Sequence, residues 1–81
     1  MTTSPENIKE SKIVSAVTRA LRISSETPGP LRMGSTPGWD SMGHMSVVME
    51  LEKEFNVRFP PYALPQLVDV PSIMKMLQGS V

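Results

Sequence analysis

Apolar residues return at helical intervals in three stretches of the chain. Ile13, Val14, Val17, Ala20 and Leu21 make the first set, Val48, Leu51 and Phe55 the second, and Val70, Ile73, Met74 and Leu77 the third. Intervals of three and four residues bring such positions onto one side of an α-helix, so each set predicts a helix with one buried stripe. The boundaries follow from local chemistry. Ser4-Pro5-Glu6 reads as N-cap, first-turn proline and first-turn acid, predicting a first helix that runs to about Arg22. Pro37-Gly38 cannot continue a helix, and the Asp40 carboxylate can accept from the first unpaired N–H groups of a second helix that starts at Ser41. That helix closes near Phe55, where Asn56 tolerates the left-handed conformation of a helix exit. Asp69 and Pro71 open a last helix that Gly79 stops.

The segments between these helices are less regular. Residues 24–38 hold three prolines, three serines and three glycines and read as a loop, with Leu31 and Met33 tacking it to the core. A loop of 15 residues is long for a compact domain and signals function or disorder. After it come an extended link through Val57, Phe59 and Pro60-Pro61, then a short helical turn from Tyr62 to Leu67, made irregular by Pro65. No strand alternation or internal repeat interrupts this pattern. The expectation is an all-α fold: one domain over residues 1–81, a small four-helix bundle of three main helices plus a short irregular third one, with residues 1–4 a flexible N-terminus.

Composition narrows the function classes. Eight basic and eight acidic residues cancel, which leaves no field to draw the domain onto nucleic acid or an anionic membrane. No run approaches the roughly 20 apolar residues of a membrane span, and Met1-Thr2-Thr3-Ser4 lacks the features of a signal peptide. With no cysteine there is no disulfide or thiolate metal site, and no metal site is expected on the single His44. The chain is expected to be a cytoplasmic monomer without membrane insertion.

The most informative stretch is Asp40-Ser41-Met42, which puts a serine hydroxyl where a Pro/Gly-rich loop becomes an amphipathic helix. Together with Val47-Val48-Met49-Glu50-Leu51-Glu52-Lys53-Glu54-Phe55-Asn56-Val57, then Leu67-Val68-Asp69-Val70 and Ile73, it resembles the acyl carrier protein family over roughly residues 8–78. The resemblance implies a discrete carrier without catalytic activity of its own. Ser41 would bear a 4′-phosphopantetheine transferred from coenzyme A by a phosphopantetheinyl transferase, and Asp40 would help that enzyme recognise the site. Acyl groups or biosynthetic intermediates would then ride as thioesters to acyl-loading, condensing or transferring enzymes. The imported thiol would supply what a chain without cysteine lacks. A phosphodiester there would also meet the positive end of a helix dipole, worth a few tenths to about 1 kcal/mol.

The chain departs from the family in two places. Gly43, Ser46 and Lys53 stand at positions commonly acidic in the fatty-acid-synthesis members, and Pro61-Tyr62-Ala63 replaces another acidic corner. Docking by charge is therefore expected to be weak, which points to a specialised polyketide- or lipid-like pathway. An aminoacyl or peptidyl carrier of a nonribosomal or cell-envelope pathway is the alternative within the class, and an unmodified helical adaptor the alternative outside it.

Other residues carry two readings each. Met42, Met45 and Met49 form a second apolar face on the helix from Ser41. Flexible methionines fill irregular cores, but they also suit a surface that must repack against several partners, to which Met42 and Met49 are assigned by the resemblance. Glu50, Glu52 and Glu54 form either a solvated side or a basic partner's footprint. Trp39 is expected to anchor the loop's end. His44, three residues after Ser41, is expected to face solvent, since an 81-residue bundle has little room for a serine hydrolase pocket and the flanks form no nucleophile elbow.

Overall fold

The computed structural model describes residues 9–24, 26–27 and 29–79. Within them the chain forms helix α1 (Glu10–Leu21), helix α2 (Ser41–Phe55), a 3-10 helix (Pro61–Gln66) and helix α3 (Val70–Gly79). The fold is all-α among the described residues, and its only bridge pairing is the isolated antiparallel contact of Arg32 with Asp69.

Among the described residues the chain enters α1 at Glu10, after an extended Lys9 that makes no side-chain cap, whereas the sequence signal for a helix start is Ser4-Pro5-Glu6. That signal and the N-terminal residues 1–4 lie outside the described residues. Arg22 closes α1 in the left-handed conformation at φ 58°, and the next amide, Ile23 N–H, donates back to the Thr18 carbonyl at 3.0 Å. This satisfies a carbonyl that the helix end would leave open. α2 keeps the expected bounds, and Asn56 supplies the left-handed exit at φ 54°.

The short segment near Pro65 is a 3-10 helix, and its hydrogen bonding explains how a proline sits inside it. A 3-10 turn asks residue 65 to donate to the carbonyl three residues back, and proline has no N–H. The side-chain amide of Gln66 reaches the Tyr62 carbonyl instead, at 3.4 Å. α3 opens on a side-chain cap, with Ser72 N–H donating to Asp69 Oδ1 at 2.8 Å. The Ser72 hydroxyl first, and that backbone N–H second, hold the Asp69 carboxyl below its ordinary range, helped by the charge of Arg32.

One core joins all four elements. α1 contributes Ile13, Ala16 and Val17, and α2 contributes Val47, Val48, Leu51 and Phe55. Ala63 and Leu67 enter from the 3-10 helix and its exit, Ile73 and Leu77 from α3. The long loop is tied down on both sides. Leu31 is buried and Met33 half-buried, Met33 N–H donates to the Val68 carbonyl at 2.8 Å, and Gly34 N–H donates to the Trp39 carbonyl at 2.9 Å. The loop's end is thereby fixed to the start of α3 and to the start of α2. No helix among the described residues is long and apolar enough to cross a membrane.

Candidate functional site

Ser41 is the first residue of α2 and is exposed. Asp40 precedes it in an extended conformation, and its Oδ1 accepts the Gly43 N–H at 2.9 Å, so the carboxylate is the helix cap the sequence predicts. The Asp40 carbonyl also accepts the His44 N–H, at 2.8 Å. The serine hydroxyl thus stands on a helix turn closed by both the side chain and the backbone of its neighbour.

The ground beneath that turn is buried. Trp39 is 1% exposed, which makes it the anchor expected of it. His44 corrects the expectation of a solvent-facing side chain, because it is 7% exposed and stacks against Trp39 with ring centroids 6.2 Å apart. The Trp39 indole N–H donates to His44 Nδ1 at 2.9 Å, and His44 Nε2 lies 2.7 Å from the Leu64 carbonyl. An indole can only donate and a carbonyl can only accept, so the imidazole is the neutral tautomer with its proton on Nε2. Both ring nitrogens are engaged, and His44 has none left to serve Ser41 as a base.

Gly43 is likewise part of this packing. A Cβ added there would overlap the Gly38 carbonyl oxygen and come within 3.1 Å of Leu21 Cδ2. The missing side chain lets α2 approach both the loop's end and the last turn of α1. A carboxylate side chain at position 43 would not fit this arrangement.

The residues expected to meet partners divide into two groups. Met42, Met45 and Met49 are 84%, 51% and 61% exposed, so they do not fill the core and form an outward apolar face. Glu50 and Glu52 are half-buried. Glu50 Oε1 accepts from Arg19 Nε at 3.0 Å, and Glu54 Oε1 from an Arg19 guanidinium nitrogen at 3.1 Å. Those two carboxylates, Glu50 foremost, raise the Arg19 pKa further above its already high value. Glu52 Oε2 accepts the Phe59 N–H at 2.9 Å. Glu50 and Glu54 are therefore engaged with α1 and Glu52 with the link after α2, while Glu52 also lines a surface depression together with Met49.

Comparison with protein-family models, curated proteins and solved structures finds no match. The site is read from its own geometry: an exposed primary hydroxyl at a capped helix start, a buried Trp39–His44 support behind it, and a methionine face running away from it along α2.

Proposed function

We propose that this chain is a carrier domain with an acyl-carrier-protein-like bundle, and that Ser41 is its point of attachment for 4′-phosphopantetheine. The observation that carries this reading is the display of the Ser41 hydroxyl on the first turn of α2, fully outside the core. The residues present fit the group. The exposed hydroxyl is open to esterification, and the helix start favours a phosphodiester. When bound, the group supplies a thiol for thioester formation.

The chain's own residues hold and present that group. Asp40 caps the first turn, the Trp39–His44 hydrogen bond holds the loop's end against α2, and the face of α2 beside it is left for enzymes that act on the cargo. Zero formal charge and the internal pairing of Glu50, Glu52 and Glu54 support a specialised polyketide- or lipid-like pathway over housekeeping fatty-acid synthesis. Incubation with coenzyme A, magnesium and a broad-specificity phosphopantetheinyl transferase should add one prosthetic-group mass by intact-protein mass spectrometry. Ser41→Ala should abolish that gain while melting like the parent. A parent chain that stays unmodified by a panel of such transferases would overturn the reading.

A further inference from the structure

We infer that the Trp39–His44 hydrogen bond is an acid-released latch: a proton taken up at His44 Nδ1 breaks it and frees the indole, while the tie to Leu64 stays in place. The two bonds of the imidazole respond oppositely to charge. Its Nε2–H donates to the Leu64 carbonyl at 2.7 Å, and a positive ring donates there more strongly. Its Nδ1 accepts the Trp39 indole N–H at 2.9 Å, and that bond uses the lone pair a proton would occupy. With Nδ1 protonated, two N–H groups would point at each other. The neutral ring therefore bonds on both sides and the charged ring on one.

The surroundings do not relieve this conflict. Trp39 is 1% exposed and His44 7%, so neither a freed indole N–H nor a charged ring meets water where it stands. The ring centroids lie 6.2 Å apart, at the edge of the cation–π reach of about 6 Å. No carboxylate among the described residues bonds the imidazole. At the head of α2 the Asp40 carboxylate is turned to the Gly43 N–H, and farther along Glu50 and Glu54 hold Arg19 while Glu52 holds the Phe59 N–H. The 3-10 helix brings only the exposed Tyr62, and α3 only Lys75. The end of α1, which meets α2 at Gly43 through Leu21, brings Arg19 and Arg22. The described part of the loop brings Glu26 and Arg32, the latter opposite Asp69.

The charge is consequently met by movement, and backbone bonds set its extent. Gly34 N–H donates to the Trp39 carbonyl at 2.9 Å and Trp39 N–H to the Thr36 carbonyl at 3.0 Å, so the main chain at Trp39 is held without the indole. The side chain is the part that gives. What acid loosens is the buried support two residues before Ser41 and three after it. The latch needs no prosthetic group and goes beyond the carrier reading, so the two can fail separately.

The chain has one tryptophan and one histidine, so each ring gives a single set of signals. The test is an NMR titration of the isotope-labelled full chain from about pH 8 to about pH 5, the span in which histidines change charge. At the alkaline end the imidazole should show the Nε2–H tautomer. As pH falls, the imidazole and indole N–H signals should move along one curve with a common midpoint, while the helical circular dichroism is retained. His44→Gln keeps a carbonyl for the indole and an amide for Leu64 without a group that titrates, so its indole signal should stay fixed over the same range. Ser41→Ala should titrate like the parent. Should His44→Gln fail to fold, the parent titration decides alone. An Nδ1–H tautomer at the alkaline end, an indole signal that stays fixed while the imidazole titrates, an imidazole that remains neutral until the whole domain unfolds, or a His44→Gln indole signal that moves like the parent's would each overturn the inference.

Discussion

The indole N–H of Trp39 donates to Nδ1 of His44 across 2.9 Å, in the buried layer directly beneath the exposed Ser41. Through the other ring nitrogen the same histidine reaches the Leu64 carbonyl, so one side chain joins the loop's end, α2 and the 3-10 helix. Replacing His44 with alanine strands a buried donor and a buried acceptor and opens a cavity. His44→Ala should cost about 3 kcal/mol in urea denaturation followed by circular dichroism. A cost below about 0.5 kcal/mol, the range of an ordinary surface change, would mean the network carries no stability.

Gly43 offers a test in which two principles predict opposite signs. Inside a helix, glycine to alanine normally stabilises by about 0.5–1 kcal/mol. Here the new methyl would overlap the Gly38 carbonyl oxygen, a backbone atom that cannot swing aside as the end of a flexible side chain would. Gly43→Ala should destabilise by about 1–3 kcal/mol. Gly79→Ala, with open space around it, serves as the control, and a melting temperature for Gly43→Ala at or above the parent's would show that the close approach is not needed.

The helix cap at Asp40 should be separable from any recognition role. Asp40→Ala removes the acceptor of the Gly43 N–H and should cost about 1 kcal/mol, whereas Asp40→Asn keeps an acceptor and should cost less than half of that. If Asp40→Asn then slows transfer of phosphopantetheine while melting like the parent, the charge serves the modifying enzyme. Equal destabilisation by both substitutions would contradict the capping geometry.

Acid should selectively weaken the start of α3. The folded-state pKa of Asp69 is depressed, so its contribution is complete above the ordinary carboxylate pKa of about 3.9 and is lost as pH falls through the lower folded value. Asp69→Ala should therefore be less stable than the parent at neutral pH, and the gap should narrow below about pH 4. Denaturation midpoints of the two proteins at neutral and acid pH provide the check, and parallel curves would rule the linkage out.

Much of this arrangement was legible in the sequence because it is set by local rules. Asp40 as cap, Asn56 as exit, Pro65 as the source of irregularity and Asp69 as opener each act within a few residues of their own position, and each appears where such rules place it. His44 was misread although a signal existed: it lies three and four residues before Val47 and Val48, on the buried stripe. Polarity outweighed position in that reading, and the partner that makes burial tolerable, the Leu64 carbonyl, is 20 residues away in sequence. The role of Gly43 was hidden for the same reason, since its neighbours Gly38 and Leu21 approach only in the folded chain. Pairing of Glu50 and Glu54 with Arg19 crosses 31 and 35 residues and leaves no local mark.

Trp39 is the only tryptophan in the chain and stands two residues before Ser41. The protein consequently carries a built-in optical gauge at the end of the fold where attachment is proposed. Because the indole is sealed from water and bonded to an imidazole, any event that loosens this junction will register as a red-shifted emission from an unlabelled sample. Its emission gives a direct test of whether the attachment proposed at Ser41 disturbs the Trp39–His44 junction.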